Sequence, residues 1–262
     1  MNKVISKNGT AIAFDRLGKG QPIILVDGAL CSRSFGPMSK LAPLLAENFT
    51  VINYDRRGWG DSGDTKPYTV EREIEDLEAL IKEAGGSTYL LGLSSGAALA
   101  LRAAASVRHV TKLALYEPPF VAMGDNGHQP PADHEAQLNQ LISSGRPGDA
   151  VKFFLTKVVG FPVIFFFVIR LLPVWSKLKA VAPSLPYDAA VMGDYSLPAK
   201  VVASVTVPTL VIGGEKSQVE LHRAVRAVAD VLPDASCRML KGQTHNVSVK
   251  VLAPVLMEFF AG

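Results

Sequence analysis

Gly92-Leu93-Ser94-Ser95-Gly96 stands between a buried apolar run, Tyr89 to Leu93, and a small-residue helical stretch, Ala97 to Ser106. A strand that turns at once into a helix through such a pentapeptide leaves the chain few folds. Side chains at positions 92 or 96 would collide with the neighbouring strand and helix, which explains glycine at both ends. The turn is expected to hold Ser94 in a strained backbone. The positive end of the following helix favours negative charge developing there. In this strand-turn-helix setting the pattern is a nucleophile elbow, rather than an ordinary turn marked by Gly and Ser.

The surrounding sequence supplies the sheet that such an elbow needs. Thr10 to Leu17 alternates apolar and polar residues, as a half-buried edge strand does. Ile23 to Val26, Val51 to Tyr54 and Leu113 to Tyr116 are short apolar runs. Between them, Ser34 to Glu47 has helical spacing. Thr69 to Ala84 is amphipathic, with Ile74, Leu77, Leu80 and Ile81 on one face and Gly85-Gly86 closing it. The β-α-β-α rhythm predicts an α/β fold with a mostly parallel sheet flanked by helices.

The rhythm stops at Pro118-Pro119. Ten of the 17 prolines fall between Pro118 and Pro198, so this stretch reads as helices broken by Pro-containing loops. Helices are predicted over Asp133–Ser143, Gly148–Val159, Pro162–Leu172 and Trp175–Val181. The sheet pattern resumes at Pro208–Ile212, followed by a helix over Val219–Leu232, a strand over Cys237–Leu240 and a last helix over Val247–Phe260. The expected division is a core of residues 1–117 and 207–262 with a helical cap of residues 118–206.

Composition narrows the function classes. Of 262 residues, 48% are hydrophobic and 19% charged, which excludes a disordered chain. The net charge of +3 includes no run of five basic residues, so no nucleic-acid partner is expected. Cys31 and Cys237 stand 206 positions apart and read as reduced thiols. With no apolar segment behind the N-terminus, a cytoplasmic protein without a secretory signal is expected. Arg170, Pro162 and Pro173 interrupt the longest apolar stretch, so no integral membrane association is expected. The histidines are scattered and the cysteines isolated, and no dinucleotide or phosphate loop follows a strand; neither metal nor cofactor is expected.

A serine hydroxyl needs a base at neutral pH. His245, in the loop Gly242-Gln243-Thr244-His245-Asn246 before the last helix, is the candidate. His109 and His222 read as solvated, and His128 and His134 fall in the insertion.

With these residues in place, the chain resembles the lidded, soluble serine hydrolases of the α/β-hydrolase superfamily. Asp55-Arg56-Arg57-Gly58-Trp59-Gly60-Asp61-Ser62 is similar to that family's D-x-R-G-x-G-x-S loop. The resemblance covers nearly the whole chain and implies an eight-stranded, mostly parallel sheet with the helical cap inserted after strand 6, and a Ser–acid–His triad in that order. It also implies an oxyanion hole formed by the amides of Ala29 and Ser95, and an acyl-enzyme on Ser94. The elbow carries Ser rather than the carboxylate that haloalkane dehalogenases and epoxide hydrolases of this fold require.

Two positions depart from the family pattern. Asp27-Gly28 stands where His-Gly is usual, and Asp27 is expected to support its loop rather than react. Ser217 occupies the slot where many members carry the triad Asp. A serine cannot stabilise an imidazolium as a carboxylate does. Glu117, directly after the strand Leu113–Tyr116, is the expected substitute, with Glu215 and Glu220 as alternatives and a site without a direct acid also open.

Six of the 12 Phe lie between Phe153 and Phe167. Most are expected in the cap's own core, with Phe120, Phe154, Phe161 and Phe165 as candidates for lining an apolar substrate pocket. A homodimer or a membrane-surface contact through the cap is also open, although few basic residues directly flank the stretch, so attraction to anionic lipid is expected to be modest. The expected activity is hydrolysis of a small apolar carboxylic ester, or of a related acyl or C–C bond. Cofactor-free perhydrolysis of the haloperoxidase type and non-catalytic binding of a small molecule are the alternatives.

Overall fold

A computed structural model describes residues 1–120 and 128–262. Its centre is one eight-stranded sheet: β1 (Asn2–Ile5), β2 (Ala11–Leu17), β3 (Pro22–Val26), β4 (Thr50–Tyr54), β5 (Thr88–Leu93), β6 (Val110–Tyr116), β7 (Thr209–Gly214) and β8 (Ala235–Leu240). The spatial order is β1-β2-β4-β3-β5-β6-β7-β8. β2 pairs antiparallel with β1 and β4, and every other pairing is parallel.

Strand periodicity divides the core into two layers. Ile24, Val26, Ile52, Leu90, Leu113, Leu115 and Val211 face one side of the sheet. There they meet α2 (Val70–Glu83), α3 (Ser95–Ser106) and α10 (Val219–Val231). Ile23, Leu25, Val51, Leu91, Ala114 and Ile212 face the other side, against α1 (Pro37–Leu45) and α11 (Val249–Ala261). Alternate residues of one strand thus enter opposite layers, and both faces are covered. Each fully buried aliphatic side chain stabilises by about 1.5–3 kcal/mol.

Between β6 and β7 the described chain forms α4 (His134–Ser143), α5 (Pro147–Phe153), α6 (Val163–Arg170), α7 (Val174–Val181), α8 (Leu185–Met192) and α9 (Ala199–Ala203). Leu138, Val151, Leu155, Leu178, Leu185 and Val191 from this insertion join the layer that contains α3. The helix predicted over 148–159 ends earlier as an α-helix. Phe154–Val158 continues as a wide π turn, with the Val159 amide bonded to the Phe154 carbonyl.

Three elements escape the sequence patterns. β1 pairs only with β2 at the sheet edge, and Asn2, Lys3 and Ile5 are all exposed, so nothing enforces alternation. α8 is buried on nearly every side and therefore lacks an amphipathic period. α9 is a single short turn and a half. The Phe cluster also divides differently from expectation. Phe154 and Phe166 are buried and Phe153 is half-buried, but Phe161, Phe165 and Phe167 are exposed.

Candidate active site

The elbow forms as the glycines require. Ser94 ends β5 with φ 57° and ψ −126°, a conformation that costs of order 1–3 kcal/mol for a residue with a side chain. A Cβ on Gly96 would stand 2.3 Å from the Val26 carbonyl oxygen, and one on Gly92 2.5 Å from the Ala97 Cα. A Cβ on Gly28 would meet the Ser94 Cβ at 2.9 Å. Three close backbone approaches thus lock the serine over the junction of β3, β5 and α3.

Among the described residues, four non-glycine positions have positive φ: Leu30, Ser94, Glu117 and Tyr195. Ser94 and Glu117 directly follow the adjacent strands β5 and β6, and Leu30 lies in the loop after β3. Strain gathered at neighbouring strand ends marks a place where side-chain position outweighs backbone comfort.

Glu117 is fully buried, and its backbone joins the end of β6 to β7. The Ser94 amide donates to the Tyr116 carbonyl at 2.9 Å, and the Glu117 amide to the Ile212 carbonyl at 2.9 Å. The carboxylate accepts the Gly214 amide on Oε1 at 2.7 Å, and its Oε2 is 2.7 Å from His245 Nδ1. Burial pushes this carboxyl up, but the hydrogen bonds from His245 and Gly214 outweigh it and hold the group below the ordinary carboxylate range. The Ser217 hydroxyl acts in the same sense, although its geometry falls short of a full hydrogen bond. Ser217 therefore lies beside Glu117 rather than replacing it.

The histidine loop is held from two sides. The Tyr116 hydroxyl donates to the Thr244 carbonyl at 2.6 Å, and the Lys216 amide to the Gln243 carbonyl at 2.8 Å. His245 itself is exposed, so its ring is open to solvent while Nδ1 is anchored on a buried carboxylate. Glu215 is exposed and accepts the Gly242 amide at 3.0 Å, and Glu220 lies in the first turn of α10. His222, expected to be solvated, is half-buried with Nε2 2.8 Å from the Gly214 carbonyl oxygen.

The other half of the site contains a polar chain. The Ala29 amide donates to Ser95 Oγ at 3.0 Å, and Ser95 Oγ donates to Asp188 Oδ1 at 2.7 Å. Arg56 Nη1 reaches the same Oδ1 at 2.6 Å, while its Nε and Nη2 grip Glu73 at 2.7 Å each. All four side chains are buried. Burial pushes the Asp188 carboxyl up despite Arg56 and Ser95. Asp27 is also buried, with Oδ1 accepting the Gly28 amide at 2.9 Å and Oδ2 unpartnered. Burial pushes it up to about 7, against the lowering effect of Gly28 and Cys31.

Asp188 is not singled out in the sequence, and Arg56 figures there only as a member of the Asp55–Ser62 loop. Asp188 is the one acid between Asp149 and Asp194, set in the apolar run Leu185–Met192. A lone acid in such a run is a signal that its partner comes from elsewhere. Of the Phe candidates, Phe120 and Phe154 are buried, whereas Phe161 and Phe165 are 40% and 56% exposed.

The sequence profile of the alpha/beta hydrolase family matches residues 23–250. The chain belongs to that family. An alpha/beta hydrolase from Sphaerobacter thermophilus DSM 20745 is 48% identical, covers 99% of this chain and 100% of its own, and superposes with a TM-score of 0.93. A thermophilic esterase from Thermogutta terrifontis, 20% identical over 99% of this chain and 97% of its own, shares the fold with a TM-score of 0.77. The 2-hydroxy-6-oxo-6-(2'-aminophenyl)hexa-2,4-dienoic acid hydrolase of Metapseudomonas resinovorans is 32% identical over 107 residues, which span 38% of this chain and 36% of that enzyme. Among the described residues of this alpha/beta hydrolase, no helix is long and apolar enough to cross a membrane.

Proposed function

We propose that this alpha/beta hydrolase is a serine hydrolase of small, apolar carboxylic esters, acting through an acyl-enzyme on Ser94. The observation that carries the reading is the 2.7 Å contact between His245 Nδ1 and the buried Glu117 carboxylate, one strand away from the strained Ser94. With Nδ1 anchored, Nε2 is the ring nitrogen left to exchange protons.

In this mechanism Ser94 Oγ attacks the ester carbonyl carbon as His245 Nε2 takes its proton. Glu117 stays ionised, fixes the tautomer and stabilises the imidazolium. The Ser95 amide, at the N-terminus of α3, and the Ala29 amide receive the oxyanion. The imidazolium then protonates the departing alkoxide. Water, deprotonated by His245, releases the acid and restores Ser94. The Ala29 N–H already donates to Ser95 Oγ, so the oxyanion must share or displace that hydroxyl.

Phe120 and Phe154, buried in the layer that contains α3, are the two Phe candidates kept for lining a pocket for an apolar acyl or alkyl group. The partial likeness to a dienoic acid hydrolase makes a C–C bond next to a ketone the natural second substrate class. A fluorophosphonate probe should label the wild type and leave Ser94→Ala unlabelled, and a p-nitrophenyl ester series should show turnover falling with chain length. A folded wild type that neither labels nor turns over any ester would overturn the reading.

A further inference from the structure

The helix α6 carries an apolar surface that the fold does not use. Ile164 is 67% exposed, Val168 53% and Leu171 86%. Their i, i+4, i+7 spacing puts all three on one side, opposite the buried Phe166. Val163, Phe165, Phe167 and Leu172 extend the patch, each about half exposed. A contiguous apolar surface of this kind on a water-facing helix marks a contact site.

Charge identifies the occupant. From Ala150 to Tyr187 the chain has no Asp or Glu, but it contains Lys152, Lys157, Arg170, Lys177 and Lys179. The remaining residues together carry a small net negative charge, so the chain's positive charge belongs to this segment. All five cations are exposed. Arg170 lies within α6, and tertiary structure brings Lys152 and Lys179 beside it. Lys152 Nζ is 5.7 Å from the Phe166 ring, Phe166 packs on Trp175 at 5.5 Å, and Lys179 Nζ is 5.9 Å from Trp175. An apolar face in a segment whose own charges are all cationic fits an anionic bilayer: side chains enter the acyl boundary and lysines meet the headgroups. A second copy of this chain fits poorly, because a two-fold contact would set like charges against one another.

We propose that the Ile164–Val168–Leu171 face and its surrounding lysines dock this protein peripherally on anionic lipid membranes. α6 lies in the plane of the interface.

The test is flotation of the full chain with vesicles of phosphatidylcholine alone and with about one-third phosphatidylglycerol. Binding to the anionic vesicles should exceed that to neutral ones about tenfold or more. It should weaken severalfold in roughly 0.5 M salt, where the Debye length shrinks to a few ångströms. Ile164→Gln/Val168→Gln/Leu171→Gln should abolish flotation while far-UV circular dichroism stays unchanged, since all three side chains are exposed. Lys157→Glu/Arg170→Glu should remove the preference for phosphatidylglycerol. Failure of the folded wild type to float with anionic vesicles overturns the proposal. So does a wild-type dimer in light scattering that the triple variant converts to monomer, because the patch is then a contact between copies.

Discussion

Ser95, the residue after the proposed nucleophile, donates its hydroxyl to Asp188 in α8, 2.7 Å away and 93 positions further along the chain. The same hydroxyl accepts the Ala29 amide, so an acid of the helical insertion reaches one of the proposed oxyanion donors through a single side chain. Arg56 completes the link by bridging Asp188 and Glu73.

Ser95→Ala frees the Ala29 N–H for the oxyanion and takes one donor from Asp188. It should raise kcat severalfold with KM little changed, and lower stability by about 1–2 kcal/mol, since a buried acceptor loses a partner. Steady-state kinetics and a urea titration on one preparation check both. Asp188→Ala leaves the Arg56 guanidinium short of a carboxylate in a buried setting and should destabilise by about 3 kcal/mol or more.

Glu117→Gln keeps the shape and an acceptor for Gly214 but removes the charge behind His245. It should lower kcat by roughly 10³–10⁴ with little change in the unfolding midpoint. Glu215→Gln and Glu220→Gln should stay within about twofold, because neither is hydrogen-bonded to His245. A large loss at Glu215 or Glu220 alone would reverse the assignment of the acid.

Glu117 and Asp27 move stability in opposite directions with pH. The Glu117 carboxyl is lowered on folding, so its contribution is present above the unfolded value and is lost as pH falls through the folded one. Asp27 is raised to about 7, so it binds a proton more tightly when folded, and its contribution declines as pH rises from about 4 to about 7. Asp27→Asn should therefore be more stable than the wild type at pH 8, by an amount on the order of 1–2 kcal/mol, with the gap closing toward pH 5. Urea midpoints at three pH values read this directly; a gap that widens toward acid would refute it.

Gly96→Ala inserts a methyl group 2.3 Å from the Val26 oxygen and 2.5 Å from the Asp27 oxygen, both backbone atoms. It should lower stability by about 2–4 kcal/mol and reduce fluorophosphonate labelling at Ser94, since neither β3 nor α3 can yield without moving the elbow. Thermal unfolding together with probe labelling tests it.

The sheet, the elbow and the histidine loop were legible in sequence because each is encoded over a few adjacent residues. Apolar runs such as Ile23–Val26 mark strands buried on both faces, and Gly92 and Gly96 leave only one turn geometry open. Glu117 stood out because it follows a strand directly. Its contact with His245 joins positions 128 residues apart and had to come from the packing of β6, β7 and the loop after β8. β1 and α8 were illegible for opposite reasons. One is exposed at every residue but the half-buried Val4 and the other is buried nearly all round, so neither carries an amphipathic period.

What the chain's order of residues determined by itself was the α/β alternation, the strained serine and the chemical types around it, since local sterics and periodicity depend only on near neighbours. Tertiary structure alone decided which carboxylate hydrogen-bonds to the histidine, which acid hydrogen-bonds to Ser95, and which part of the Phe cluster is buried. Those outcomes depend on burial and on partners far apart in the chain. A lone Asp188 or a mostly apolar α6 reads the same in sequence whether the fold encloses it or leaves it in water.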